Sequence, residues 1–300
     1  MEEIDGKGQA GPWNGGAGTA WVDEQDVIDA MFRSVEEALL ASCPAHEAAG
    51  ILDVGCGTGG TTLALARRVK AGVRCLGVDI SAQMVAAARR RAADEGLAAD
   101  FVQADAQRHA FAPASVDLVV SRFGVMFFDD PVAAFANLRR AMRPNGQLRF
   151  MAWRGPGDNP FMTAAEEAAR PLLPDLPRRT PDEPGQFGFA RAARVLAILE
   201  EAGWEAPRCE PVDIVCRFPA AALDGYLARM GLVGRALEGA DPALRQAVLA
   251  RVRPRFERYV EGGVVRFTAA CWLAGAGAGA SLKPPGYESS PSRASGSPRS

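Results

Sequence analysis

The sequence predicts an α/β fold whose core is a doubly wound, mostly parallel sheet of seven strands with helical cap insertions. Strand-like and helix-like segments alternate about five times over residues 50–153. The strand-like segments are near-continuous apolar runs, which is typical of parallel strands covered by helices on both faces. A glycine-rich turn joins the first strand to the next helix, an arrangement found at nucleotide-binding corners.

This turn lies in the segment Gly50–Gly60, which reads GILDVGCGTGG. Asp53 is near the end of the predicted strand, and the glycines follow at once. Glycine permits a tight turn and close approach of a ligand because it has no Cβ. The spacing of Gly55, Gly57 and Gly60 satisfies the G-x-G-x-x-G fingerprint. The loop alone therefore fits both a nicotinamide dehydrogenase and other nucleotide binders.

Asp53 favours one of these alternatives. A dinucleotide would present its pyrophosphate here, and a carboxylate at the strand end would repel it. A ligand with a cationic amine would be attracted instead. S-Adenosylmethionine has such an amine and a sulfonium, and it has no phosphate.

Hydrophobic runs bounded by turn residues predict the strands, and apolar residues with helical periodicity predict the helices. The strands are Ile51–Val54, Val73–Ile80, Phe101–Ala104, Val116–Ser121, Leu148–Trp153, Val212–Phe218 and Val264–Leu273. The helices begin at about Asp23, after Ser81 and at Pro131, and span Thr61–Lys70, Phe161–Arg170, Ala190–Ala202 and, with interruptions, Leu223–Val260.

Composition along the chain divides it into four predicted parts. Residues 1–22 are glycine-rich and are expected to form a flexible N-terminal segment. Residues 23–153 form the expected cofactor-binding core, and residues 154–273 carry the remaining strands with helical insertions that cap the substrate. Residues 274–300 are rich in alanine, glycine, serine and proline, so we expect a disordered tail.

Four polar residues fall at the carboxyl ends of successive predicted strands: Asp53, Asp79, Asp105 and Ser121. The carboxyl ends of parallel strands lie at the same edge of the sheet, where ligands bind. These side chains are therefore expected to converge on one site.

Bulk composition excludes several classes of function. The chain of 300 residues is 48% apolar and 23% charged, and its formal net charge of -2 disfavours nucleic acid as a partner. The six cysteines are scattered without a C-x-x-C pair, which argues against a metal site and a disulfide framework. We expect no signal peptide and no stable membrane insertion, and a cytoplasmic location fits the cysteine usage.

Further motifs add a family resemblance. The segment Leu52–Gly59 resembles motif I of class I S-adenosylmethionine-dependent methyltransferases. The similarity continues through GVDIS at Gly77–Ser81, ADAQ at Ala104–Gln107, FGVMFF at Phe123–Phe128 and RPNGQL at Arg143–Leu148. The chain is most similar to the broad branch related to ubiquinone/menaquinone-biosynthesis C-methyltransferases, which includes the type 11/25-like domains. The resemblance implies a Rossmann-like core and S-adenosylmethionine as cofactor, and it says little about the substrate.

The resemblance also implies roles around the methionine part of the cofactor. Gly55, Gly57 and Gly59 would let the backbone approach it, and Asp53 would reach its amine directly or through water. Ser121 would line the methyl-donor end. The plainer alternative is that Asp53 only caps the following helix.

For the nucleoside part, the resemblance implies that Asp79 accepts hydrogen bonds from both ribose hydroxyls. The plainer alternative is that Asp79 only caps the helix that follows it. Ile80 and Met84 would enclose the adenine, although either residue could instead be ordinary core. Asp105 would accept a hydrogen bond from the adenine amine, and the backbone of Ala106 would contact the ring edge.

The catalytic residue is not defined by the sequence. Methyl transfer from a sulfonium is an in-line displacement, so positioning and desolvation can supply much of the acceleration. His46 precedes the first strand and is expected to be remote, and His109 is expected to be a solvated loop residue rather than a general base. Arg122 could orient an anionic or enolic acceptor, or it could pair with Asp129 or Asp130.

Three functions remain to be weighed. The first is O- or C-methylation of a small, lipophilic metabolite, for which the later segments supply apolar side chains. These are Phe161, Met162, Phe187, Phe189, Tyr226 and Met230. The second is a nicotinamide-dependent oxidoreductase, which Asp53 disfavours. The third is a non-catalytic cofactor-binding protein of the same fold. The oligomeric state is not predicted, and Trp13 and Trp21 could either pack on the core or close the site.

Overall fold

One sheet forms the centre of the computed structural model, which describes residues 10–280. The strands are β1 (Gly50–Val54), β2 (Arg74–Asp79), β3 (Ala99–Gln103), β4 (Val116–Arg122), β5 (Met142–Trp153), β6 (Glu205–Pro219), β7 (Val260–Glu261) and β8 (Val264–Gly277). Their order is β3-β2-β1-β4-β5-β8-β6, and the short β7 pairs with β8 outside this path. Strands β1 to β5 pair in parallel, whereas β8 is antiparallel to β5, β6 and β7. This architecture confirms the predicted doubly wound, mostly parallel Rossmann-like fold. The predicted count of seven strands was one too low, because β7 adds an eighth outside the main path.

Helices surround the sheet. They are α1 (Ala10–Asn14), α2 (Gly16–Asp23), α3 (Gln25–Ala41), α4 (Gly60–Ala66), α5 (Ala82–Glu95), α6 (Pro131–Ala141), α7 (Pro160–Ala169), α8 (Ala192–Glu201), α9 (Leu223–Arg229), α10 (Gly231–Ala236) and α11 (Pro242–Val252). As predicted, Ser81 caps α5 by accepting from the amide of Met84, and Pro131 opens α6. Within residues 10–280, no helix combines the length and apolar character needed to cross a bilayer.

Both faces of the central parallel strands β1 and β4 are buried. Ile51 and Leu118 belong to an apolar cluster that includes α4, whereas Leu52 and Val119 belong to the main cluster that includes α6. Successive residues of a strand point to opposite faces. Apolar residues at consecutive positions are therefore required here, which explains why these strands show no polar alternation.

The segment expected to be flexible at residues 1–22 is helical from Ala10 onward, so that prediction was wrong for residues 10–22. Residues 1–9 lie outside the described part of the chain. The side chain of Asn14 accepts a hydrogen bond from Ala82 N at 2.9 Å and donates one to Ile80 O at 3.1 Å. These tertiary contacts fix a segment whose glycine content alone favours flexibility.

The predicted disordered tail at residues 274–300 begins too early. Strand β8 continues to Gly277, and Ala274, Ala276 and Ala278 are almost completely buried. A Cβ added at Gly275 would lie 2.8 Å from Leu148 O on β5. Small side chains are required between β5 and β6, so the alanine and glycine content reflects close packing here. Residues 281–300 lie outside the described part of the chain.

The predicted helical stretch over residues 223–260 consists of four separate elements in the structure: α9, α10, α11 and a 3₁₀ helix over Arg253–Tyr259. These elements pack with α7 into a cap beside the sheet. Phe161 at the start of α7 stacks on Phe267 of β8, with ring centroids 3.8 Å apart. Its ring also meets Phe256 edge-on at 5.1 Å. Phe161 therefore joins the cap to the sheet.

Candidate functional site

A cavity of about 1560 Å³ lies at the carboxyl ends of the parallel strands. Its wall contains the loops that follow β1, β2, β3 and β4, together with parts of α1, α2 and the cap. This is the edge at which parallel α/β sheets bind their ligands. Seven of the residues predicted to bind a cofactor line it: Gly55, Gly57, Asp79, Ile80, Met84, Asp105 and Ala106.

The glycine loop presents bare backbone to the cavity. Gly55 and Gly57 have φ values of 67° and 54°, in the left-handed region that glycine adopts without strain. A Cβ added at Gly57 would meet only Met84 Sδ within 4 Å, at 3.8 Å. Space for a ligand therefore exists directly against the loop.

Asp79 closes the same corner from the end of β2. Its Oδ2 accepts a hydrogen bond from Gly57 N at 2.8 Å, and its Oδ1 accepts one from Ser81 N at 2.9 Å. Burial raises the pKa of Asp79, and the backbone amides of Ser81 and Gly57 oppose that shift. Because each carboxylate oxygen can accept two hydrogen bonds, both oxygens keep an acceptor site for a ligand.

The loop after β3 forms the adjoining wall. Asp105 Oδ1 accepts a hydrogen bond from Gln107 N at 2.9 Å. The buried side chain of Asn137 on α6 donates to Ala106 O and His109 O, each at 2.9 Å. Sequence reasoning missed Asn137 because nothing in the pattern of α6 distinguishes it from other positions. It fixes the loop that carries Asp105.

Asp53 lies behind the glycine loop and does not line the cavity. It is 1% exposed, and its Oδ2 accepts a hydrogen bond from Thr62 Oγ1 at 2.6 Å. Burial raises the pKa of Asp53 to about 7, and the Thr62 hydrogen bond opposes this. Asp53 precedes the last residue of β1, so its side chain faces α4. The structure thus does not support direct contact with the cofactor amine, whereas contact through water stays a prediction. The argument from the charge of Asp53 against a dinucleotide is weakened.

Gly59 and Ser121 are also behind the wall. Gly59 packs against α5, where an added Cβ would lie 3.0 Å from Ala88 Cβ. Ser121 is fully buried; its Oγ donates to Val54 O at 2.7 Å and accepts from Gly124 N at 3.0 Å. Both residues therefore support the shape of the site instead of lining it as predicted.

The loops after β1 and β4 approach each other closely at Gly124, a residue that sequence reasoning did not assign to the site. A Cβ added at Gly124 would lie 2.5 Å from Val54 O and 2.7 Å from Gly55 Cα. The preceding Phe123 has φ 68° and stacks on Trp153 with ring centroids 4.5 Å apart. A glycine within three residues of the predicted strand end at Ser121 was the available signal.

Arg122 and His109 both line the cavity. Arg122 lies 3.9 Å from Asp29 and 3.9 Å from Glu36, both on α3, so these residues are its partners in place of the predicted Asp129 or Asp130. The other histidine, His46, is not on the wall, and its side chain is 76% exposed.

The N-terminal helices close one side of the cavity. Trp13 and Trp21 are both on the wall, with ring centroids 5.9 Å apart. Trp13 also meets Phe127 of the loop after β4 edge-on at 5.3 Å. Of the two interpretations left open for the tryptophans, this geometry favours closure of the site.

The far end of the cavity, beside the cap, contains an apolar patch. Five of the six side chains predicted for an acceptor pocket line it: Phe161, Met162, Phe187, Tyr226 and Met230. Phe189 does not, because it is buried between Phe135 and Phe150, with both ring centroids 6.2 Å from its own. Within residues 10–280, no group of three or more His, Cys, Asp or Glu side chains could hold a metal ion.

Comparison with known proteins places this site in a family. A methyltransferase-domain family matches residues 51–146. The demethylmenaquinone methyltransferase of Beutenbergia cavernae is 31% identical over 182 residues, which cover 58% of this chain and 73% of that protein. The nocamycin O-methyltransferase of Saccharothrix syringae is 29% identical over 256 residues, which cover 79% of this chain and 88% of that protein. The chain spans about half the length of three mycobacterial relatives, at 51%.

The fold comparison agrees. The YcgJ protein of Bacillus subtilis superposes with a TM-score of 0.52 at 18% identity, covering 82% of this chain and 97% of that one. The match to the methyltransferase domain includes Gly55, Gly57, Asp79 and Asp105, all of which line the cavity. The chain therefore belongs to the class I S-adenosylmethionine-dependent methyltransferases, whose cofactor is S-adenosylmethionine.

Proposed function

We propose that this protein transfers a methyl group from S-adenosylmethionine to a carbon or oxygen atom of a small, lipophilic metabolite. The observation that carries the proposal is the division of one cavity into two unlike ends. One end has the glycine loop with Asp79 and Asp105, and the other has aromatic and methionine side chains. A polar cofactor and an apolar acceptor would thus share a single enclosed space.

The residues of the polar end fit the cofactor. Asp79 has the unused acceptor sites needed for two ribose hydroxyls. Ile80 and Met84 would enclose the adenine, Asp105 would accept from its amine, and the backbone of Ala106 would contact the ring edge. When bound, the cofactor supplies an electrophilic methyl group on a cationic sulfonium.

The chain would contribute positioning and exclusion of water. Trp13, Trp21 and Phe127 enclose the cavity from the side of α1 and α2. Removing water strengthens the attraction between the acceptor and the methyl donor, and a fixed orientation reduces the entropic barrier. His109 is the cavity-lining imidazole within residues 10–280, so it is our candidate base for an acceptor that must lose a proton.

The names of relatives bear on the acceptor. One relative is a nocamycin O-methyltransferase and another is a demethylmenaquinone methyltransferase. The first name supports an oxygen acceptor, and both names support methyl transfer to a small molecule. We also propose a cytoplasmic location, because all six cysteines are free thiols in the structure.

Calorimetric titration with S-adenosylhomocysteine and, separately, with NADH tests the cofactor half of the proposal. We expect the homocysteine product to bind and NADH not to bind. Binding of NADH alone would instead indicate the oxidoreductase. Incubation with methyl-labelled cofactor and a panel of quinones, phenols and polyketides then tests transfer. Cofactor binding without transfer to any member would favour the non-catalytic alternative.

A further inference from the structure

The cap and the loop between α7 and α8 together form one end of the cavity, called here the cap end. This end carries more cations than anions. Six charged side chains line it: Glu166, Arg178, Arg179, Glu183, Arg229 and Arg235. Four of them are arginines. The strand end of the same cavity carries the carboxylates Asp79, Asp105 and Asp129 together with Arg108 and Arg122, so carboxylates are in excess by one there. The two ends therefore differ in the sign of their charge.

Two of the four arginines are neutralised within the protein. Arg179 Nε donates to Glu166 Oε2 at 3.0 Å, and the guanidinium also bonds Gln186 at 3.1 Å. Arg229 forms an ion pair with the buried carboxylate of Glu24, at the junction between α2 and α3. These two pairs leave no net charge, so the excess comes from Arg178 and Arg235 against the one carboxylate of Glu183.

The other two arginines have no such partner. Within residues 10–280, the guanidinium groups of Arg178 and Arg235 make no hydrogen bond or ion pair with the protein. Partial burial lowers the pKa of Arg235, and the neighbouring charge of Arg179 lowers it further. Both side chains are accessible to solvent, so a ligand in the cavity could reach them without rearrangement of the backbone.

We propose that the methyl acceptor carries an anionic group, a carboxylate or a phosphate, and that Arg235 binds this group with Arg178 beside it. This inference rests on the proposed function, because it names the substrate class of the same site. The planar guanidinium matches the oxygens of a carboxylate or phosphate. The apolar body of the acceptor would lie along Phe161, Met162 and Tyr226, which line the same end of the cavity.

The charge pattern would also orient the two ligands. A cationic methyl donor is attracted to the carboxylates at the strand end, and an anionic acceptor is attracted to the cap. Each ligand is disfavoured at the other's position. An acceptor with a neutral body and one anionic end would thus enter with its body toward the donor.

A pair of fluorescent probes tests this without knowledge of the natural acceptor. Anilinonaphthalene sulfonate is an aromatic anion, and phenylnaphthylamine is its neutral counterpart without the sulfonate. We expect Arg235→Gln to weaken binding of the sulfonate probe about fivefold and to leave the neutral probe unchanged. Arg178→Gln should have a smaller effect in the same direction. Arg90→Gln on α5, an exposed position outside the cavity, is the matched control.

Displacement of the sulfonate probe by naphthoate and by naphthyl phosphate identifies which anion the site prefers, with methyl naphthoate as the neutral comparison. The inference is supported if either anion displaces the probe more strongly than the ester does, and if the Arg235→Gln variant no longer shows this preference. Equal displacement by all three, or an unchanged preference in Arg235→Gln, overturns it. Calorimetry with S-adenosylhomocysteine on the same proteins separates the two proposals. If that product binds and the anion preference is absent, only this inference fails; if it does not bind, the proposed function fails.

Discussion

At the scale of single residues, Asp79 combines a structural and a proposed binding role. Its two oxygens hold the amides of Gly57 and Ser81, so it orders the loop and the start of α5. We expect Asp79→Ala to weaken binding of S-adenosylhomocysteine by roughly tenfold to a hundredfold, because charge-assisted hydrogen bonds are lost from a buried site. Calorimetric titration measures the change.

Asp100→Ala provides the control for that substitution. Asp100 is on the neighbouring strand β3, is exposed, and does not line the cavity. The Asp100→Ala variant should bind S-adenosylhomocysteine with the affinity of the unmodified protein. Equal affinity in both variants would mean that the ribose lies elsewhere.

Asp53 makes the stability of the protein depend on pH. Its pKa is raised from 3.8 to about 7 by burial, so the folded protein holds this proton over a range in which the unfolded chain releases it. The folded state therefore binds more protons, and this group lowers the free energy of unfolding as the pH rises from 3.8 to about 7.

Asp53→Asn removes this titration while an amide oxygen can still accept from Thr62. We expect the stability of the variant relative to the unmodified protein to be greater at about pH 8 than at about pH 5, by ~1–3 kcal/mol. Urea denaturation at both pH values measures it. Asp26→Asn, at an exposed position on α3, should show no such difference. A difference in stability that is the same at both pH values would contradict the assigned pKa.

At the scale of elements, the contact between the loops after β1 and β4 leaves no room for a side chain at Gly124. We expect Gly124→Ala to destabilise the protein by roughly 1–3 kcal/mol, because the new methyl group would force two backbone segments apart. Gly157→Ala is the matched control, since an added Cβ there meets nothing within 4 Å. Denaturation curves of equal midpoint for the two variants would show that the loops after β1 and β4 can move apart to accommodate a methyl group without loss of stability.

The N-terminal helices depend on a few polar contacts with the start of α5. Asn14 bonds both Ile80 O and Ala82 N, which flank the proposed adenine site. We expect Asn14→Ala to speed amide exchange in α1 and α2 and to weaken binding of S-adenosylhomocysteine about threefold. The reason is that the helices lose roughly the free energy of one hydrogen bond to the start of α5. Asp23→Ala, an exposed position at the end of α2, should change neither. Unchanged exchange in Asn14→Ala would show that the aromatic contacts alone hold the helices.

At the scale of the whole molecule, the parallel half of the fold could be predicted from the sequence, because its strands are apolar and its loops carry glycine and aspartate. The same reasoning correctly predicted that Asp79 and Asp105 lie at the cavity. It was wrong for the side chains of Asp53 and Ser121, because a position near a strand end does not reveal which face of the sheet a side chain takes. The helices at residues 10–23 and the end of β8 depend on tertiary contacts, so composition misled there.

The end of β8 lies inside the sheet, so its loss should affect the entire fold. Residues 274–277 pair with β5 on one side and with β6 on the other, and Asn145 N donates to Gly279 O at 2.8 Å. We expect a chain ending at residue 273 to be less stable than one ending at residue 280 by roughly 4 kcal/mol or more, at about 1 kcal/mol for each lost hydrogen bond. Comparing these two truncations by thermal and urea denaturation isolates residues 274–280 and excludes any contribution from residues 281–300. Equal stability would mean that β5 and β6 close without this segment, as the prediction of a tail from residue 274 implied. A large difference would instead establish that the antiparallel strand is an obligatory part of the core, and that the parallel half containing the glycine loop cannot be treated as an independent unit.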